Sequence, residues 1–187
     1  TELAAVLSFS AITNNDKVGV IFFSNQVEKF IPPQKGRTHI LRIIRELLHH
    51  QPSSKQTDIS EALRYLTNAI KKRCTAFLIS DFMDDDFETA LKISKNKHDV
   101  VAIQTVDQGE LQIPAMGLLQ IKDAETDNLS LIDTSNKNFQ SYHRKWWKEK
   151  EEKLQTVFQK TGIDHVKLFT DKDYVPALKN LFSRRSV

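Results

Sequence analysis

The chain alternates between short continuous apolar runs and longer stretches with helical spacing. Residues 1–15 predict a helix, with Leu3, Val6, Leu7 and Ala11 on one side and Asn14-Asn15-Asp16 ending it. Val18-Gly19-Val20-Ile21-Phe22-Phe23 is an unbroken apolar run, the pattern of a buried strand. After a turn at 24–26, Val27 to Ile31 predicts an antiparallel partner strand closed by Pro32-Pro33. A helix over about Thr38–His49 places Ile40, Ile43, Ile44, Leu47 and Leu48 in one arc. Another begins near Asp58, where Ile59, Ala62, Leu63, Leu66, Ala69 and Ile70 follow i, i+3, i+4, i+7 spacing and Asp58 and Glu61 stand at capping-box distance.

Thr75–Ser80 and Asp99–Val106 are apolar enough to be strands. Between them a helix turns Phe87, Ala90 and Leu91 inward, with Asp85 and Glu88 as its capping box. Leu118–Ile121 and Leu129–Ile132 alternate around a polar turn and predict a hairpin. A long helix covers about Asn138–Lys160 and stops at Gly162. A strand over Ile163–Phe169 and a helix capped by Asp173, with Pro176 in its first turn, complete the chain. Strands separated by helices predict an α/β sandwich with a mostly parallel sheet and helices on both faces.

Composition narrows the function classes. The 187 residues carry 27 basic and 24 acidic side chains, and +3 is too mild to point to nucleic acid or a membrane surface. No run approaches the ~18 apolar residues of a membrane span. Cys74 is the single cysteine, so no intramolecular disulfide forms. A reducing, cytoplasmic setting follows. With 5 glycines and no glycine-rich phosphate loop, nucleotide binding lacks its usual signatures.

Asp81 is the most informative polar residue. It follows an apolar strand at the carboxyl end, where open α/β sheets bind ligands. Thr57 precedes a helix that starts at the same edge, and a hydroxyl with a carboxylate suits Mg²⁺. A helix cap is the competing reading for Thr57, and a turn for Asp81. Asp84, Asp85 and Asp86 read first as dipole-complementing carboxylates in a helical first turn. Their alternative use, with Asp81, is a metal-dependent phosphoester hydrolase, which requires further converging ligands. The six histidines are scattered, and Cys74 reads as a packing residue rather than a nucleophile. His143-Arg144-Lys145-Trp146-Trp147-Lys148 mixes aromatics and bases as a nucleic-acid stacking surface does. Phe139, Tyr142, Trp146, Trp147, Leu154, Val157 and Phe158 nevertheless share one helical face, which favours core packing, with Lys150 interrupting the stripe.

Several blocks, in order, resemble a known family. They are 15–24 (NDKVGVIFFS), 27–33 (VEKFIPP), Thr57-Asp58-Ile59, 77–82 (FLISDF) and 174–178 (YVPAL). They resemble the bacterial von Willebrand factor A-like domains of the domain-of-unknown-function family fifty-eight, typically encoded beside MoxR-type AAA+ ATPases. The resemblance covers nearly the whole chain. It implies one Rossmann-like domain over 1–187, with a mostly parallel sheet, one antiparallel edge strand and a small hairpin insertion. It also implies a metal-ion-dependent adhesion site, in which Thr57 matches the threonine of the second loop and Asp81 the aspartate of the third. The D-x-S-x-S motif of the first loop is absent from these residues. On the resemblance, that motif and the central first strand belong upstream of Thr1. Mg²⁺ is then expected in the intact protein and not in this chain. The strands at 18–23 and 75–80 are expected either to pair directly or to receive a segment from elsewhere, which allows oligomers through the sheet slot. The resemblance implies a non-enzymatic interaction module, an adaptor or co-chaperone for a MoxR-type ATPase and a client. Thr57, Asp58, Asp81 and Phe82 form its partner-binding edge, with no part for nucleic acid or, in this segment, membrane.

Overall fold

The computed structural model describes residues 1–122 and 128–185. They form two compact units, 1–66 and 67–187 by sequence.

The first unit contains α1 (Glu2–Thr13), β1 (Val18–Phe23), β2 (Val27–Gln34), α2 (Arg37–His49) and most of α3 (Ile59–Ala69). β1 and β2 make an antiparallel two-stranded sheet. Their apolar side chains close a small core: Ile31, Ile40 and Ile43 are buried, with Ile12, Val18, Val20, Phe22, Ile44 and Leu47 packed around them. Leu48, expected in the same arc, is mostly exposed at the end of its helix. β2 does not stop at Pro32-Pro33 but runs through both to Gln34, opposite Val18. Proline is tolerated where no ladder N–H is required. Gly19 makes the approach possible, because a Cβ there would lie 2.8 Å from the Ile31 carbonyl oxygen and 2.9 Å from the Pro33 nitrogen. The register shifts at the same place, between Val18 and Val20. The buried His39 anchors α2 to β1 through Nε2 and the Val18 carbonyl, 2.8 Å apart.

The second unit contains β3 (Thr75–Ser80), α4 (Glu88–Lys97), β4 (Asp99–Val106), α5 (Gln108–Leu111), β5 (Leu118–Lys122), β6 (Leu129–Asp133), α6 (Lys137–Thr161), β7 (Asp164–Phe169) and α7 (Val175–Arg185). Its main sheet is parallel, in the order β3-β4-β7. The central β4 is buried from Val100 to Gln104, as a strand covered on both faces must be. Register shows what covers each face. Phe77 aligns with Val101 and meets Phe182 of α7 edge-on. His165 aligns with Ala102 and stacks on Phe158 of α6 at 4.8 Å. Val101 and Ala102 are consecutive and point to opposite faces, so α6 and α7 lie on opposite sides of this sheet.

Two polar devices and a glycine cap tie elements of this unit together. Lys95 of α4 donates to the carbonyls of Thr161 and Gly162, both at 2.7 Å, satisfying acceptors that the end of α6 leaves open. Gly162 itself adopts the left-handed C-terminal conformation that suits glycine. Arg185 pairs with both Asp99 and Asp164, fixing the end of α7 to the starts of β4 and β7.

The architecture is therefore mixed α/β, with an antiparallel pair in the first unit and a parallel sheet and an antiparallel hairpin in the second. Among the described residues, β1 bonds to β2 within the first unit and β3 to β4 within the second.

Candidate functional site

In the first unit, the carboxyl end of β1 is fixed by a hydrogen-bonded knot. Glu28 Oε1 accepts from the Ser24 hydroxyl at 2.6 Å, the Ser53 hydroxyl at 2.6 Å and the Ser53 amide at 3.0 Å. Gln26 donates to the Ser53 hydroxyl at 2.9 Å. These bonds favour the ionised carboxylate and hold Glu28 below the usual glutamate range, the Ser24 hydroxyl acting most strongly. The knot ties the loop before α3 to the strand end, and Asp58 N–H donates to the buried Ser24 carbonyl at 2.9 Å. Thr57, beside it, is half-buried. Asp58 caps α3, its Oδ1 accepting from Glu61 N–H at 2.8 Å, so its carboxylate is used within the fold.

In the second unit, Asp81 lies directly beyond β3 and is exposed. Its Oδ1 accepts from Met83 N–H at 3.2 Å and from the Ser80 hydroxyl at 3.3 Å, an Asx-type turn. Phe82 follows with φ of +57°, rare for an aromatic residue. It is only 4% exposed, and its ring packs against Phe87 and edge-on to Phe158 at 5.3 Å. Phe82 therefore serves the edge as an anchor that fixes Asp81, with its ring turned inward. Glu110 lies within electrostatic reach of Asp81 and of a further carboxylate, Asp107. Asp107 directly follows β4 and caps α5 through Gly109 N–H at 2.7 Å. Glu110 is held above the usual glutamate range by burial, with Asp107 and Asp81 adding repulsion.

The 84–86 carboxylates precede α4 rather than occupying its first turn. Asp85 is not a cap. It pairs with Lys153 at 2.7 Å and Lys150 at 3.6 Å, and its carboxyl is held low chiefly by the Lys153 hydrogen bond. Lys150, the break in the aromatic stripe, also donates to the Met83 carbonyl at 3.1 Å. Thus α6 clamps the loop that carries Asp81. The stripe is buried only in its second half: Leu154 and Phe158 are core residues, whereas Tyr142 and Trp146 are exposed. The Trp147 indole donates to His143 Nε2 at 3.1 Å.

Cys74 Sγ lies 3.5 Å from His98 Nδ1. Burial, then Asp99, pushes the thiol up, while burial pushes the imidazole down. Both shifts favour a neutral pair over a thiolate–imidazolium nucleophile. Mg²⁺ demands near-octahedral oxygen coordination. Thr57 in the first unit and Asp81 in the second supply one hydroxyl and one carboxylate. Among the described residues, no three His, Cys, Asp or Glu side chains group in a way that could hold a metal ion. Among the described residues, these side chains do not by themselves make up a metal site.

A family model described as "Protein of unknown function DUF58" matches residues 1–153. The chain belongs to the DUF58 family. Among its relatives are the uncharacterised proteins Rv1480 of Mycobacterium tuberculosis and Mb1516 of Mycobacterium bovis. Each is 24% identical over 126 residues, covering 66% of this chain and 40% of the relative. A third, MAV169 of Mycobacterium avium, is 26% identical over 99 residues, covering 51% of this chain and 59% of the relative. The DUF58 chain thus spans well under half the length of the first two. Among solved structures, an aerotolerance-related membrane protein from Bacteroides fragilis matches with a TM-score of 0.59 at 17% identity, over 97% of this chain and 86% of that one. At that identity the likeness shows shared fold alone.

Sequence reasoning named Thr57, Asp58, Asp81 and Phe82 but passed over Asp107 and Glu110. The signal for Asp107 was present, since it follows β4 as Asp81 follows β3. Glu110 depends on α5, a single turn too short to leave a periodic pattern.

Proposed function

We propose that this DUF58 chain is a non-enzymatic interaction module of von Willebrand A-like, Rossmann-like type. It works in the cytoplasm as an adaptor or co-chaperone for a MoxR-type AAA+ ATPase and a client. One observation carries the reading most: the loop after β3 is built to hold Asp81 outward. The Asx turn, the inward Phe82 anchor and the Lys150 bond to Met83 fix its backbone while the carboxylate stays at the surface. Rigid support around an exposed polar group suits recognition. In the first unit, the Glu28 knot supports the loop carrying Thr57 and Asp58 in the same manner.

The hydrolase alternative draws less support. Asp85, one of its proposed ligands, is committed to two lysines. The neutral Cys74–His98 pair offers no nucleophile. The test is direct binding of a MoxR-type ATPase from a genome that encodes both proteins, measured by biolayer interferometry. The proposal expects saturable binding that weakens about tenfold or more in Asp81→Ala, a loss of ~1.4 kcal/mol. Magnesium-dependent phosphoester turnover that Asp81→Ala abolishes would replace the interaction reading with the hydrolase.

A further inference from the structure

The first half of α6 carries an aromatic surface that the core does not cover. Leu154 and Phe158 are buried, whereas Tyr142 is 69% exposed and Trp146 36%. Four residues apart, Tyr142 and Trp146 stand on one helical face. The Trp146 ring is braced by its neighbours. Trp147 meets it edge-on at 5.2 Å, and the Trp147 indole is itself fixed by its bond to His143. Lys150 Nζ lies 5.8 Å from the Trp146 ring centre. The same ammonium donates to the Met83 carbonyl at 3.1 Å, and Met83 N–H donates to Asp81 Oδ1 at 3.2 Å. A line of contacts therefore runs from Asp81 through Met83 and Lys150 to Trp146, and both its ends are exposed.

We propose that the Tyr142–Trp146 face and the Asp81 loop form one docking surface for a protein partner. That partner sets an aliphatic side chain against the two rings and a basic one against Asp81. The inference rests on the reading of the loop after β3 as a recognition edge, and its occupant is the ATPase of that reading. Charge selects a protein over the other surfaces that aromatic residues serve. The lysines that a nucleic acid would need carry carboxylates of their own: Lys145 pairs with Glu149, Lys148 with Glu152, and Lys150 and Lys153 with Asp85. Because Lys150 is shared between Asp85 and the Trp146 ring, a carboxylate borders that ring, which opposes a phosphate backbone or an anionic lipid surface. Tyrosine and tryptophan are also the residues that anchor protein interfaces. A ring already held by its neighbours loses little freedom on binding, so its burial is expressed in affinity.

Biolayer interferometry of the 187-residue chain against a MoxR-type ATPase, from a genome that encodes both, tests it. Tyr142→Ala and Trp146→Ala should each weaken binding about tenfold, as truncated aromatic anchors do. Trp146→Phe keeps a ring and should recover most of the affinity, while Lys148→Ala, on another side of α6, should change it by less than about twofold. Urea midpoints read through Trp147 separate lost contact from lost fold. Tyr142→Lys, at the more exposed position, repeats the test should Trp146→Ala fail to fold. Binding that Asp81→Ala weakens and both aromatic variants leave unchanged overturns this inference and spares the Asp81 reading. Binding that needs the rings but not Asp81 overturns the single surface, and no binding at all removes both readings. Aromatic variants that lose single-stranded DNA, anionic vesicles or a second copy of the chain, while keeping the ATPase, give the rings to that occupant and overturn the proposal.

Discussion

Phe82 holds a bulky side chain at φ of +57° beside the outward Asp81, and two substitutions separate its ring from its backbone. Removing a buried phenylalanine ring costs roughly 3–5 kcal/mol. Here that loss includes the contacts with Phe87 at 5.7 Å and Phe158 at 5.3 Å. Phe82→Ala keeps the Cβ, and with it the left-handed penalty of ~1–2 kcal/mol. Phe82→Gly loses the same ring but relieves that penalty, against a gain of ~0.4–1 kcal/mol in unfolded-chain entropy. Glycine should therefore be the milder replacement by about 0.5–1 kcal/mol, the reverse of the usual order. Urea denaturation followed by tryptophan fluorescence reads this unit specifically, because Trp146 and Trp147 both lie on α6. Equal stability, or an alanine variant more stable than glycine, would refute the claim that the fold holds residue 82 in the left-handed region.

Other perturbations have equally definite outcomes. Lys95→Met leaves the Thr161 and Gly162 carbonyls without their lysine donor and should cost about 1–3 kcal/mol, read as a fall in urea midpoint at unchanged slope. Gly19→Ala drives a Cβ into the Ile31 carbonyl and Pro33 nitrogen and should cost about 1–3 kcal/mol, seen as faster amide exchange in β1 and β2. Glu28 has a lowered folded-state pKa, so its knot is fully stabilising above the unfolded value of ~4.3 and fades as pH falls through the folded value. Circular-dichroism melts should show that acid-side loss in the native chain, and Glu28→Gln should remove this part of the pH dependence.

The strands at 75–80 and 99–106 were legible to the residue, because each is an isolated apolar run between polar boundaries. The buried helix faces at Ile40, Ile43, Leu63 and Leu91 followed from spacing for the same reason. What local pattern could not show was the neighbour. Pro32-Pro33 signalled a strand end, yet β2 continues because Gly19 opposite has no side chain to obstruct it. Asp85 had the spacing of a cap, but its partners are lysines more than 60 residues away. The aromatic stripe of α6 gave a face without saying how far along the helix a covering layer extends, so Tyr142 and Trp146 read as core and are exposed. At the candidate site, Asp81 was readable because strand ends mark sheet edges. The inward turn of Phe82 was not, because a positive φ on an aromatic residue is imposed by packing.

The most direct test of the account is the affinity of a MoxR-type ATPase for this chain and for its Asp81→Ala variant, with both folds checked by urea denaturation. The account predicts saturable binding to the native chain and about tenfold or greater loss in the variant at unchanged stability. No binding, or equal affinity for both, would contradict the claim that the loop after β3 is a recognition edge.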